Sequence, residues 1–209
     1  REELRKRRYV FAGKSRAFSE QAIDNVIAEL CSTALNEGLG VANEKNYNHL
    51  LYGMSVKEFV DGKKINPTLQ IIDWENIGNN SFLFTEEFSV QRTGGVDHRR
   101  PDIVCFINGL PLVIIEAKRP DNHTNKGPTI NEGISQNIRN QRNDEIPHLF
   151  VYAQLLFSIN GAEGRYGTQG TPKKFWARWR EEDIRETEFY ALKNKRLNEA
   201  AQSVLFSHR

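Results

Sequence analysis

Asp102, Glu116 and Lys118 are the residues of this 209-residue sequence whose types and spacing point most directly to chemistry. They lie in the text Arg99-Arg100-Pro101-Asp102-Ile103-Val104-Cys105-Phe106-Ile107-Asn108-Gly109-Leu110-Pro111-Leu112-Val113-Ile114-Ile115-Glu116-Ala117-Lys118, two apolar runs meeting at Asn-Gly. Asn-Gly between apolar runs is a strong hairpin signal. Side chains alternate along a strand, so Glu116 and Lys118 share one face and Ala117 points to the other. Val113, Ile114 and Ile115 leave no polar face before Glu116, the pattern of a central strand covered on both sides. Charges at the end of such a strand are costly unless paired or bound to a metal. Two carboxylates are hard oxygen donors that suit Mg²⁺ while leaving it room for water and phosphate oxygens. A cation so held polarises a phosphoryl group and acidifies a bound water, and a lysine beside it orients that water or offsets developing charge. The set therefore suits phosphodiester hydrolysis; the competing reading is an ordinary ion pair at a strand end.

Register sets a condition on that reading. A two-residue Asn108-Gly109 turn pairs Ile107 with Leu110 and carries Asp102 onto the face of Ile115, away from Glu116. Convergence of the carboxylates thus predicts a three-residue loop, Ile107-Asn108-Gly109, or else a bulge or strand divergence near Asp102.

The elements that must position these residues are only partly legible. Ser19 to Leu35 places Ile23, Val26, Ile27, Leu30 and Ala34 at helical spacing behind a serine suited to capping. Asn36 to Pro67 is mixed and reads as irregular, with Gly38, Gly40, Gly53 and Gly62 interrupting it. Leu69 to Trp74, Ser81 to Thr85, Phe88 to Gln91, Asp102 to Ile107 and Leu112 to Ala117 read as strands. Ile130 to Asp144 reads as a polar helix ended by Pro147, Leu149 to Tyr152 and Leu155 to Ile159 as strands, and Asn160-Gly161 as a turn. Phe175, Trp176 and Trp179 share a helical face, and a charged helix is expected from Glu181 to about Ser203. A mixed sheet flanked by helices, α/β or α+β, is the fold class these imply.

Composition sets outer bounds. A hydrophobic fraction of 38% and a charged fraction of 27% describe a polar-surfaced globular chain with no apolar run of membrane-spanning length. The charged start, Arg1 to Arg8, lacks the apolar stretch of a secretory signal, so a cytoplasmic location is expected. Cys31 and Cys105 have no Cys-x-x-Cys partner and read as buried, reduced thiols. The net charge of +2 neither requires nor excludes nucleic acid, although Arg5 to Arg8, Lys173-Lys174 and Arg178 to Arg180 are basic runs. Gly13-Lys14-Ser15 has Arg8 where a phosphate-binding loop needs its first glycine, and no apolar strand precedes it.

Beyond the motif, longer blocks carry a family resemblance. Arg99 to Val104, Asn108 to Leu112 and Glu116 to Pro120 resemble the N-terminal endonuclease domain of the restriction subunit of type I restriction-modification enzymes. So do Ile146 to Phe150, Gln154-Leu155, Ile159 to Gly161, Arg165 to Thr168, the aromatics Phe175, Trp176 and Trp179, and Asn79 to Phe82. The resemblance spans roughly Ser19 to Arg180. It implies a PD-(D/E)xK nuclease core over 19–180, with 1–18 a basic leader and 181–209 a helical extension toward a motor domain. In that core Asp102 and Glu116 bind Mg²⁺ and Lys118 assists the attacking water. Gln136 matches the glutamine of a family Gln-x-x-x-Tyr element whose tyrosine is here Asn140, and Glu20 or Asp24 on the first helix is an accessory acid. The resemblance also implies a longer polypeptide with an ATP-driven DNA motor, and separate specificity and methyltransferase subunits that read the sequence. Contacts to double-stranded DNA fall mainly on phosphate, with Arg119, Arg139, Arg142, Lys173 and Lys174 as candidates. The fragment alone is expected to be monomeric. A repair or junction-resolving nuclease of the same fold, and a catalytically silent DNA-binding or docking domain, are the competing readings.

Overall fold

The computed structural model describes residues 1–32, 35–119, 129–160 and 163–180. They divide into two compact units: residues 1–84, 105–112 and 147–154 form one, and residues 85–104, 113–146 and those from 155 onward the other.

The first unit opens with α1 (Glu2–Arg5) and a hairpin of β1 (Arg8–Phe11) and β2 (Lys14–Ala17). Gly13-Lys14-Ser15 thus lies at a hairpin rather than at a strand-to-helix junction. Next comes α2 (Glu20–Cys31), whose N-cap Ser19 accepts a hydrogen bond from Ala22 N at 3.2 Å. Ile23, Val26 and Leu30 are buried as their spacing predicts, joined by Ala22, while Ile27 is half-buried, the helix ends at Cys31 and Ala34 lies outside the described residues.

The region read as irregular, 36–67, instead begins with a 14-residue helix, α3 (Leu39–Tyr52). Gly38 and Gly53 bracket the helix instead of breaking it. Its apolar periodicity is weak because some of its inward positions are amides: Asn46 is buried, and Asn43 Nδ2 donates to the carbonyls of Phe150 and Ala153 at 3.0 and 2.9 Å. Two small ladders follow, β3 (Met54–Ser55) with β6 (Thr68–Leu69), and β4 (Glu58–Val60) with β5 (Lys63–Ile65).

The strand expected over Leu69 to Trp74 ends at Leu69. A polar network takes over the following backbone. Asn80 Oδ1 accepts from Arg7 Nη2, Asp73 N and Asn108 Nδ2, each at 2.9 Å, while its Nδ2 donates to the Asp73 and Ile77 carbonyls. Arg7, expected in a solvated basic leader, is therefore buried.

The remaining elements are β7 (Phe82–Glu86), the pair β8 (Val90–Gln91) and β9 (His98–Arg99), β10 (Ile103–Ile107), β11 (Leu110–Ala117), α4 (Ile130–Asn140), α5 (Pro147–Phe150), β12 (Leu155–Ile159), β13 (Gly164–Gly167) and β14 (Ala177–Arg178). One mixed six-stranded sheet runs in the order β14-β13-β12-β11-β10-β7. β11 and β12 are parallel, with Val113 to Ala117 opposite Leu155 to Ile159; β12, β13 and β14 are antiparallel. A parallel pair needs a long crossover, and α4 supplies its helix. Ile114, Ile115 and Leu156 have no exposed surface. Burial of each such side chain contributes about 1.5–3 kcal/mol, which fixes β11 as a central strand.

Other expectations are corrected. Leu149 to Tyr152 is not a strand, since Pro147 occupies the first position of α5, where its missing N–H costs nothing. Phe175, Trp176 and Trp179 do not share a helix: a single 3₁₀ turn (Lys173–Phe175) leads into β14. Trp176 is buried, while Trp179 packs edge-on against Phe157 and Tyr166. Cys31 is exposed and Cys105 half-buried, both free thiols. The expected helix from Glu181 and nearly all of the loop Asn122 to Thr129 lie outside the described residues. Among the described residues no helix is long and apolar enough to cross a membrane.

Candidate active site

The turn between β10 and β11 has two residues. Asn108 (φ 54°) and Gly109 (φ 85°) are both left-handed, the requirement of the tight hairpin turn that Asn-Gly favours. The predicted three-residue loop is therefore absent. Asp102 nevertheless reaches Glu116, because it lies at a bend just outside β10 and leaves the strand alternation that would have turned it away. Its Oδ2 accepts from the backbone N–H of Ala117 at 2.8 Å, which pins the carboxylate to the end of β11. A bend at Asp102, rather than a longer loop, brings the carboxylate to the end of β11.

Lys118 Nζ then lies 3.3 Å from Asp102 Oδ2 and 3.3 Å from Glu116 Oε2. The Glu116 and Lys118 side chains are 5% and 8% exposed, against 38% for Asp102, so the cluster opens to solvent on the Asp102 side. Burial, reinforced by the neighbouring Asp102 charge, pushes the Glu116 carboxyl up to about 7 despite the Lys118 ammonium. One lysine does not compensate two carboxylates. A buried carboxylate with this deficit favours a second positive charge, and the oxygen donor set fits Mg²⁺, which is commonly held by one or two carboxylates with water completing its shell. Among the described residues no cluster of three or more His, Cys, Asp or Glu side chains forms a metal site, so the fit rests on this pair.

Two features that hold the pair were not singled out in the sequence. Glu116 stands opposite Ser158 in the parallel ladder, and the fully buried Ser158 Oγ donates to Ile130 O at 2.7 Å, tying the start of α4 to this point of the sheet. Gly133 permits the contact: a Cβ there would sit 3.2 Å from Glu116 Cβ and run into Ser158 Oγ. A glycine inside a helix and a serine inside the run Leu155-Leu156-Phe157-Ser158-Ile159 were the available signals. On the other side, Arg99 makes a two-pronged contact with Glu145, Nε and Nη2 at 2.6 and 2.9 Å, three residues before Asp102. Hydrogen bonding to Arg99 holds the Glu145 carboxyl below the usual carboxylate range, and Thr93 N donates to the Glu145 carbonyl at 2.7 Å.

The other candidates divide. Gln136 is half-buried on α4, one turn beyond Gly133, and its Oε1 is buried with no hydrogen-bond partner among the described residues, so it is not the solvent-facing residue a polar helix suggests. Asn140 is buried, its Oδ1 accepting from the Arg139 guanidinium at 3.0 and 3.1 Å. Glu20 is engaged by Arg5 at 2.8 and 2.9 Å, and Asp24 pairs with Arg1, all within the first unit. Arg119, Arg142, Lys173 and Lys174 are exposed; Lys173 donates to Ser135 of α4 and Lys174 lies over the Phe175 ring.

Residues 1–175 match the model of the type I restriction enzyme R protein N terminus. The chain belongs to this family. Among curated proteins it is 33% identical over 136 residues to the putative type I restriction enzyme MjaIXP endonuclease subunit of Methanocaldococcus jannaschii, covering 64% of this chain and 12% of that protein. It is 30% identical over 162 residues to the type I restriction enzyme HindI endonuclease subunit of Haemophilus influenzae, covering 77% of this chain and 15% of the relative. A Staphylococcus aureus endonuclease subunit, SauCOLORF180P, is 36% identical over 98 residues, 47% of this chain and 10% of that one. The chain thus spans a small fraction of the length of these relatives.

Proposed function

We propose that this chain is the DNA-cleaving domain of a type I restriction enzyme, hydrolysing phosphodiester bonds of double-stranded DNA with Mg²⁺ held by Asp102 and Glu116. The observation that supports the reading best is the convergence of both carboxylates on one nearly buried ammonium at the end of an apolar central strand. When bound, the metal would supply Lewis acidity and a water acidified toward neutral pH. The protein's residues do the rest. Glu116, fixed by β11, and Asp102, fixed by the Ala117 N–H, present oxygens whose separation is set by the sheet. Lys118 carries positive charge to where the attacking water and the non-bridging phosphate oxygens would lie, stabilising charge that grows in the transition state. Gln136 is an accessory position beside them, and Glu20 remains a candidate acid from the first helix. Arg119, Arg139, Arg142, Lys173 and Lys174 are assigned to phosphate contacts. Site recognition by specificity and methyltransferase subunits, and ATP-driven translocation, belong in this reading to other parts of a bacterial or archaeal cytoplasmic assembly.

The reading is tested by calorimetric titration of Mn²⁺ into the 209-residue chain and by Mg²⁺-dependent cleavage in the longer polypeptide. Asp102→Ala is expected to abolish Mn²⁺ binding. Lys118→Ala is expected to keep the metal and lower cleavage about 10²- to 10³-fold. Unchanged Mn²⁺ affinity in Asp102→Ala, or equal cleavage by Lys118→Ala and the parent, would remove these residues from the mechanism.

A further inference from the structure

A second polar concavity lies wholly within the first unit, built from residues that the cleavage reading does not use. It is a groove of about 480 Å³, with Lys6, Arg8, Gln70, Trp74, Asn76 and Asn79 on its walls. Trp74 is 56% exposed, yet it is not a loose surface ring: its indole N–H donates to Leu50 O at 3.0 Å. The loop that carries it is equally fixed. Asp73 accepts from Asn76 N at 2.8 Å and from Asn79 Nδ2 at 2.9 Å, and its own N–H is held by the buried Asn80. The polar network of the fold thus holds a large aromatic ring in one orientation with its surface open to water.

Two cations on the walls of the same groove, Lys6 and Arg8, bear on what it can hold. Arg8 is exposed, and Lys6 is engaged only by Glu3, an exposed i,i+3 pair of the modest kind that an incoming phosphate displaces. Gln70 on the same wall is turned away from the ligand: its Nε2 donates to Tyr52 O at 3.4 Å and its Oε1 lies buried beside Gly53. Glu75 on the same wall disfavours a ligand that is anionic throughout. A fixed aromatic platform and two cations together match a nucleobase joined to phosphate, and an unpaired base is the form that offers its ring face for stacking.

We propose that this groove binds an unpaired nucleotide of single-stranded DNA, its base stacked on Trp74 and its phosphate met by Lys6 and Arg8. The choice of DNA rests on the cleavage reading; the groove itself is a separate site on separate residues. Binding of labelled ten-nucleotide deoxyadenosine strands, and of a duplex of the same length, is measured by fluorescence anisotropy with the 209-residue chain in chelator. Under those conditions hydrolysis plays no part, so the result is independent of Asp102, Glu116 and Lys118. Trp74→Ala is expected to weaken single-strand binding about 10- to 100-fold while leaving duplex binding unchanged, and Trp74→Phe to retain most of it. Lys6→Ala and Arg8→Ala are each expected to flatten the dependence of log K on log salt by about 0.7. Single-strand affinity unchanged in Trp74→Ala, or lost equally for strand and duplex in a variant with an unaltered circular dichroism spectrum, overturns the proposal.

Discussion

Two clusters of the same residue types, one in each unit, behave in opposite ways. Around Asn80, the carboxylate of Asp73 is surrounded by donors: Asn79, the Asn76 N–H and Arg7 hold it below the usual carboxylate range. Around Lys118, Glu116 is displaced upward to about 7 by burial and by Asp102. The first cluster is complete as it stands and fixes backbone that has no regular secondary structure. The second sets two carboxylates against one ammonium. The carboxylate shift therefore runs in opposite directions in two groups that both lie at low exposure beside a cation, down where donors surround the carboxylate and up where burial and a second carboxylate dominate.

The largest effect expected from breaking this contrast is at Asn80. Asn80→Ala removes one partner of the buried Arg7 guanidinium, which keeps Asp73 and the Gln70 and Ile71 carbonyls, and takes away the acceptor shared by the Asp73 N–H and the Asn108 amide. It should lower the free energy of unfolding by about 3 kcal/mol, read from urea denaturation. A loss below about 1 kcal/mol would mean that the network is not structural.

Glu116→Gln should move stability the other way. A carboxyl raised in the folded state withdraws stability as pH rises from its unfolded value near 4.5 through about 7. Removing the charge should thus stabilise the metal-free protein by roughly 2–3 kcal/mol at pH 8, with the gain vanishing below about pH 4.5. Thermal melts of the pair across this range decide it; a variant less stable than the parent at pH 8 would show that Lys118 already compensates Glu116.

The smallest effect lies at Glu145, whose shift resembles that of Asp73. A carboxyl lowered in the folded state contributes stability above its unfolded pKa and loses it as pH falls through the folded value. Glu145→Gln should cost about 1–2 kcal/mol at pH 7 and progressively less below about pH 4. A difference independent of pH would argue that shape, not charge, is what Arg99 recognises.

Legibility in the sequence follows the same division. β11, β12 and α2 could be read because burial imposes a periodicity on their apolar residues. Glu116 and Lys118 could be read because charge at the end of an apolar strand is anomalous. α3 could not, since Asn43 and Asn46 do inward work that no hydropathy pattern records. The strand expected beyond Leu69 failed for a related reason: Arg7, 66 residues upstream of Asp73, supplies bonds that only the tertiary structure brings to it. The hairpin exposed a subtler limit. Strand alternation kept Asp102 from the Glu116 face for a two-residue turn, but alternation governs only residues that remain in the strand, and Asp102 lies outside β10.

That position of Asp102 has a kinetic corollary. Of the three clustered side chains it is the one substantially open to solvent, while Glu116 and Lys118 lie behind it. On the proposed cleavage reading, an incoming cation meets Asp102 first and Glu116 only behind it. If the proposed metal is held there, a charge-neutral Asp102→Asn is expected chiefly to slow its association and Glu116→Gln chiefly to hasten its release.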